Sequence, residues 1–169
     1  MRRVVCLLCG IAAPFVMISC SKHPRPNDSE LRSVFASNPA DFERAVEILK
    51  TTRGFRGVDC GEIRLSGHEA VTRKDPRAKS MLSDVIWSEL CAISEKLKLP
   101  QGIGVSEDRR AVMFTYEITG LVTGGRVTGV IYSEDPLEPL CENIDAAVGR
   151  GRFYSKLDRP NWYLQRWLD

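Results

Sequence analysis

A histidine followed by a glutamate, His68-Glu69, is the nearest this chain comes to a general base with an orienting acid, and Glu62 lies a few residues upstream. Imidazole titrates near neutrality, so such a pair could move a proton. His68-Glu69-Ala70-Val71-Thr72 begins like the H-E-x-x-H of zinc hydrolases, but Thr72 stands where the second imidazole ligand belongs. Catalytic zinc needs three protein ligands, and the remaining Cys, His and carboxylate spacings do not supply them. His23 falls in a Pro-rich stretch that cannot hold it against a reacting group. No G-x-S-x-G elbow offers a serine nucleophile. Carboxylates are plentiful (Glu62, Glu107, Asp108, Glu117, Glu134, Asp135), and a glycosidase needs two of them about 5–9 Å apart. Sequence spacing does not reveal that distance. Glycines crowd Gly120 to Gly129, yet strands are expected on both sides, whereas a phosphate cradle leads into a helix. The residues thus assign no catalytic group, no metal and no cofactor.

The N-terminus carries a clearer chemical signal. Arg2 and Arg3 precede an apolar run from Val4 to Ile18, which ends at Met17-Ile18-Ser19-Cys20. The run is about fifteen residues, short of the ~20 that span hydrocarbon, and Pro14 interrupts it. This order of charge, apolar stretch and small residue before a cysteine resembles the lipobox of bacterial lipoproteins. The resemblance implies removal of 1–19, acylation of Cys20 and, with Ser21 rather than Asp next, sorting to the periplasmic face of the outer membrane. Without Arg2 and Arg3, 22 basic residues balance 22 acidic ones. A neutral chain has no electrostatic footprint for nucleic acid. Local basic clusters occur at Arg53/Arg56, Arg109/Arg110 and Arg150/Arg152; solvated loop charge or a site for an anion or acidic partner are the two readings. Cys6 and Cys9 leave with the leader. Cys60, Cys91 and Cys141 then allow at most one internal disulfide, with the pairing open and Cys60 favoured as a member.

Residues 20–28 read as lipidated cysteine and tether, and 29–169 as one domain. Ser29 could cap a first helix bearing Leu31, Val34 and Phe35. Asn38-Pro39 with Asp41 opens a second, on which Phe42, Ala45, Val46 and Leu49 recur at helical spacing before Gly54. Glu62 to Leu65 reads as a short strand. Asp75-Pro76 and Pro100 bracket one long helix from about Pro76 to Leu97, striped by Leu82, Ile86, Leu90, Ile93 and Leu97. Val112, Phe114, Tyr116 and Ile118 alternate with polar neighbours. Thr123-Gly124-Gly125 then turns the chain back through Val127 to Tyr132 as a hairpin. A helix over about 136–148 and strands Arg152–Leu157 and Trp162–Leu168 close the chain. The expected class is α+β: N-terminal helices and one long helix on a mostly antiparallel sheet, ending in a β-α-β-β unit.

The terminal Asn161-Trp162-Tyr163-Leu164-Gln165-Arg166-Trp167-Leu168-Asp169 is aromatic-rich; Tyr163 and Trp167 share one face and are the candidate anchors for a partner. Ile131-Tyr132-Ser133, Pro136-Leu137-x-Pro139-Leu140, Ile144-Asp145, Tyr154-x-Lys156-Leu157 and Asn161-Trp162-Tyr163-Leu164 together are similar to a pattern in small uncharacterised proteobacterial envelope proteins. That resemblance covers about residues 126–169 and implies no activity. The expectation is a lipid-anchored envelope protein that binds another envelope protein, as an immunity or inhibitor protein does. The alternative is a periplasmic carboxylate-based hydrolase acting on envelope glycan.

Overall fold

The computed structural model describes residues 26–65, 69–119 and 125–169. The leader, Cys20, His68 and the hairpin turn at Thr123-Gly124 lie outside the described residues. No helix among the described residues is long and apolar enough to cross a membrane.

Helix α1 (Asp28–Ser37) starts two residues earlier than Ser29 as its cap suggested, because Asn27 closes a capping box. Its side chain accepts from the Glu30 amide at 2.9 Å while the Glu30 carboxylate accepts from the Asn27 amide at 2.9 Å. Helix α2 (Pro39–Thr51) begins on Pro39 as its fixed φ dictates, but Asn38 does not cap it. The Asn38 amide instead turns back to donate to Val34 O at 2.9 Å.

Eight strands form one sheet: β1 (Phe55–Val58), β2 (Glu62–Leu65), β3 (Ala70–Thr72), β4 (Ile103–Val105), β5 (Ala111–Thr119), β6 (Arg126–Ser133), β7 (Gly151–Lys156) and β8 (Trp162–Leu168). Their order is β3-β2-β1-β4-β5-β6-β8-β7, and every neighbouring pair is antiparallel. One row of paired positions crosses the whole sheet: Val71, Ile63, Val58, Ile103, Phe114, Val130, Leu164 and Ser155. All eight are buried, and the seven apolar ones form the floor of the core. The helices cover that face. Trp162 is its aromatic centre, with ring centroids 5.0 Å from Phe35, 5.3 Å from Tyr132, 5.8 Å from Phe42 and 5.9 Å from Phe114. Antiparallel pairing needs no crossover helix, so helices gather on one side and the fold is α+β.

Two expected helices are corrected. The single helix from Pro76 to Leu97 is two, α3 (Pro76–Met81) and α4 (Asp84–Lys96). Leu82 between them is extended and fully inside the core, and Ser83 caps α4 by accepting from the Ile86 amide at 3.3 Å. A serine hydroxyl competes for the backbone and so favours such a break. The break also turns Trp87 inward in place of Ile86, which stays half-buried. The second correction concerns 136–148, which holds no α-helix; only Ile144–Ala146 makes a single 3₁₀ turn. Pro139 lacks an amide and disfavours helical backbone at Glu138. The segment runs beside β7 instead, with Cys141 N donating to Tyr154 O at 2.7 Å and Tyr154 N to Pro139 O at 3.1 Å. The chain therefore ends as strand, irregular segment, strand and strand. Strands β1, β3 and β4, of three or four residues each, were not expected.

Cys60 and Cys91 are joined as a disulfide, linking the β1–β2 turn to α4. Cys141 is free and half-buried, and burial pushes its thiol pKa up.

Candidate functional site

The residues with chemical potential do not gather at one centre. His68 lies outside the described residues, and its neighbour Glu69 is ion-paired with Arg77 at 2.8 Å. Glu134 is bonded to Lys50, which holds its carboxyl below the usual range, and Asp135 meets Arg110 at 2.5 Å. Asp108 closes a tight turn, accepting from Ser106 Oγ at 2.6 Å and the Arg110 amide at 3.0 Å. Glu117 is buried on the helix-covered face opposite Thr128, whose hydroxyl is 3.4 Å away. Cys60, Cys91 and Glu95 bring two sulfurs and a carboxylate within 4.8 Å of one another, but both sulfurs are spent on the disulfide.

The terminal aromatics divide between two environments. Tyr163 and Trp167 do share the sheet face away from the helices, as alternation requires. Tyr163 is only 7% exposed, packed in a small second cluster with Ile131 and Tyr154, its ring centroid 6.5 Å from that of Tyr154. Trp167 is half-buried beside Val127 and Arg152.

Two concavities stand out instead. The first, about 500 Å³, is a groove between β7 and the irregular segment, lined by Leu140, Cys141, Ala147, Val148 and Phe153 among others. Three large apolar side chains are exposed among the described residues, and two of them, Leu140 at 47% and Val148 at 86%, line this groove. A buried polar network fixes its wall. Asp28 accepts from the Ile144 amide at 3.1 Å and from Arg32 Nε at 2.5 Å, while its own amide donates to Asp145 at 2.9 Å. Arg166 donates to Ile144 O at 2.8 Å and pairs with Asp145 at 2.5 Å. Ser155 accepts from Arg32 at 2.5 Å and donates to Glu142 O at 2.9 Å. Buried ions are retained only when paired and hydrogen-bonded, so this irregular backbone is held by charge rather than by helix bonds. The sequence hinted at the groove through Leu140 and Val148, but assigned both to a helical stripe.

The second concavity, about 190 Å³, is lined by Arg53, Gly54, Phe55, Arg56, Glu107 and Arg109. It unites two of the basic clusters seen in the sequence, Arg53/Arg56 from the α2–β1 connection and Arg109 from the β4–β5 turn. Arg109 has left-handed backbone, φ 64°, and its guanidinium donates to Phe55 O at 2.7 Å and Leu49 O at 3.4 Å while lying 5.2 Å from the Phe55 ring centre. Burial lowers its pKa, and the charges of Arg53 and Arg56 lower it further. Arg56 pairs with Glu107 at 2.7 Å. Gly54 has φ 97°, a conformation other residues rarely adopt, and a Cβ there would press on Met81 at 3.2 Å.

No protein-family model, no curated protein and no solved structure matches this chain.

Proposed function

We propose that this chain is a lipid-anchored, periplasm-facing envelope protein whose folded part binds another envelope protein, in the manner of an immunity or inhibitor module. The leader and Cys20 support the anchor; acylation with two or more chains holds a protein at a bilayer essentially permanently. The observation that carries protein binding is the groove. Large apolar side chains exposed together on a rigid wall mark an interaction surface, whereas scattered ones do not. A binding module of this kind needs no reacting group. Neither concavity brings two carboxylates together, since Glu107 and Glu142 are the single acids of each, and that weighs against a carboxylate hydrolase. Trp167 and Tyr163 lie on the opposite sheet face, so they serve as a comparison surface in the test.

Affinity capture from envelope extract with the full chain tests the reading. Burying a Val or Leu side chain is worth about 1.5–3 kcal/mol, so Leu140→Asp with Val148→Asp is expected to weaken capture of the partner by roughly a hundredfold or more. Tyr163→Ala and Trp167→Ala report whether the aromatic face contributes. Equal capture by the groove variant and the wild type would refute the groove as the docking surface. The anchor is read separately: radiolabelled palmitate enters the wild type and is absent from Cys20→Ser, and equal labelling would sink it.

A further inference from the structure

We propose that the pocket formed by Arg53, Arg56 and Arg109 is a binding site for a phosphate dianion, either inorganic phosphate or a phosphate monoester. The site is separate from the groove and does not rest on it. Three guanidinium groups face one carboxylate, Glu107, which leaves two positive charges uncompensated around the cavity. Glu107 competes for Arg56 at 2.7 Å, but it is 84% exposed and a surface pair of that kind is weak enough for a phosphate to displace. Arg53 makes no hydrogen bond or ion pair among the described residues, and its donors are available. A planar guanidinium presents a fork of donors that matches phosphate oxygens two at a time.

The pocket is also built rather than incidental. Left-handed backbone is normally left to Gly, Asn or Asp, yet Arg109 occupies it, pinned by two backbone carbonyls and the Phe55 ring. Strain of that kind persists only where surrounding structure enforces it, and clusters at ligand sites. Its effect here is to hold a third guanidinium in the same lining as Arg53 and Arg56 despite their mutual repulsion. The turn that carries it is rigid, tied by Ser106, Asp108 and the Arg110 and Ala111 amides. Gly54, with φ 97°, turns the chain between Arg53 and Phe55 where the pocket forms. At about 190 Å³ the cavity is smaller than the ~300 Å³ at which drug-sized ligand pockets begin, so it takes a charged head group and not a large ligand.

The Arg109 turn lies at the sheet end that holds Ala111, Ser133 and Trp162. Helix α1, by contrast, starts beside Asp145 and Arg166, further along β8. Helix α1 thus starts at a different point along β8 from the turn that carries Arg109, and the titration below separates a soluble phosphate from a lipid head group.

The test is calorimetric titration of inorganic phosphate into the full chain held in phosphatidylcholine nanodiscs. Wild type is expected to bind, and Arg53→Gln with Arg56→Gln to bind at least roughly tenfold more weakly, since each charged hydrogen bond removed costs about that factor. Glu107→Gln is expected to bind more tightly, an outcome that misfolding does not produce. Arginine stays charged throughout, so affinity should rise between about pH 5 and 8 as the second phosphate proton leaves. Repeating the titration in nanodiscs containing phosphatidic acid separates the sources. Unchanged binding assigns a soluble phosphate; loss of the heat, restored by Arg53→Gln to no degree, assigns a lipid monoester. Absence of phosphate binding by wild type in phosphatidylcholine, or equal binding by the double Arg variant, overturns the proposal.

Discussion

Breaking the Cys60–Cys91 bridge is expected to cost about 3.7 kcal/mol of folding stability. The two cysteines are 31 residues apart, and closing a loop of that length in the unfolded chain removes about 12 cal/mol/K of entropy by the chain-entropy relation. For a domain of this size roughly 2–4 °C of Tm follows each kcal/mol, so reduction should lower Tm by about 7–15 °C. The enclosed residues include β2, β3 and α3, and these should lose amide protection first, because α4 keeps a second tie to the same turn: Trp87 Nε1 donates to Asp59 O at 2.8 Å. Urea unfolding of the full chain in detergent, followed by tryptophan fluorescence with and without reductant, measures the effect. Cys60→Ala with Cys91→Ala should match the reduced wild type and respond no further to reductant. Trp87→Phe in the oxidised chain should cost only about 1 kcal/mol beyond its packing loss, one hydrogen bond. A wild-type midpoint that reductant leaves unmoved would refute the reasoning, since it would mean that the bridge constrains nothing.

Two further outcomes are expected. Leu90→Ala, at a fully buried position on α4, should lower stability by about 2–5 kcal/mol in the same unfolding assay, and an unchanged midpoint would contradict its place in the core. The carboxyls of Glu134 and Glu89 sit below their usual range, chiefly through hydrogen bonds from Lys50 and Arg44 respectively. A depressed folded pKa contributes stability that is present above the unfolded value of about 4.3 and is lost as pH falls through the lower folded value. Glu134→Gln with Glu89→Gln should therefore flatten the acid limb of a pH–Tm profile, and an unaltered limb would count against both pairs.

What could be read from sequence alone follows the reach of each signal. Pro39 and the periodicity that follows it place α2 within a residue or two, and the alternation from Val112 to Ile118 marks β5, because both are local. Leu82 kept the four-residue spacing of the stripe and so concealed a helix break that depends on burying Leu82 and Trp87 together. Leu137, Leu140, Cys141, Ile144 and Val148 fit a helix by spacing, yet Pro139 and the pairing of Tyr154 with the backbone of Pro139 and Cys141 decide otherwise. Strands of three residues such as β3 and β4 carry too few positions for any period. The arginine pocket was visible only as two unrelated clusters. Arg53 and Arg109 meet because β1 pairs with β4, a contact that no local pattern encodes.

The irregular strip over 139–141 has a consequence for crowding. Strand β7 ends the sheet, and an end strand with free amides and carbonyls invites a strand from a neighbouring molecule to continue the ladder. Here Tyr154, midway along β7, already spends its outward amide and carbonyl on Pro139 and Cys141. The covering strip offers little to a newcomer, since Pro136 and Pro139 have no amide to donate. The other end of the sheet is β3, only three residues long, too short to template a lasting pairing. The margins of the eight-stranded sheet therefore offer a strand of a neighbouring molecule little ladder to extend, covered at Tyr154 on one side and only three residues long on the other.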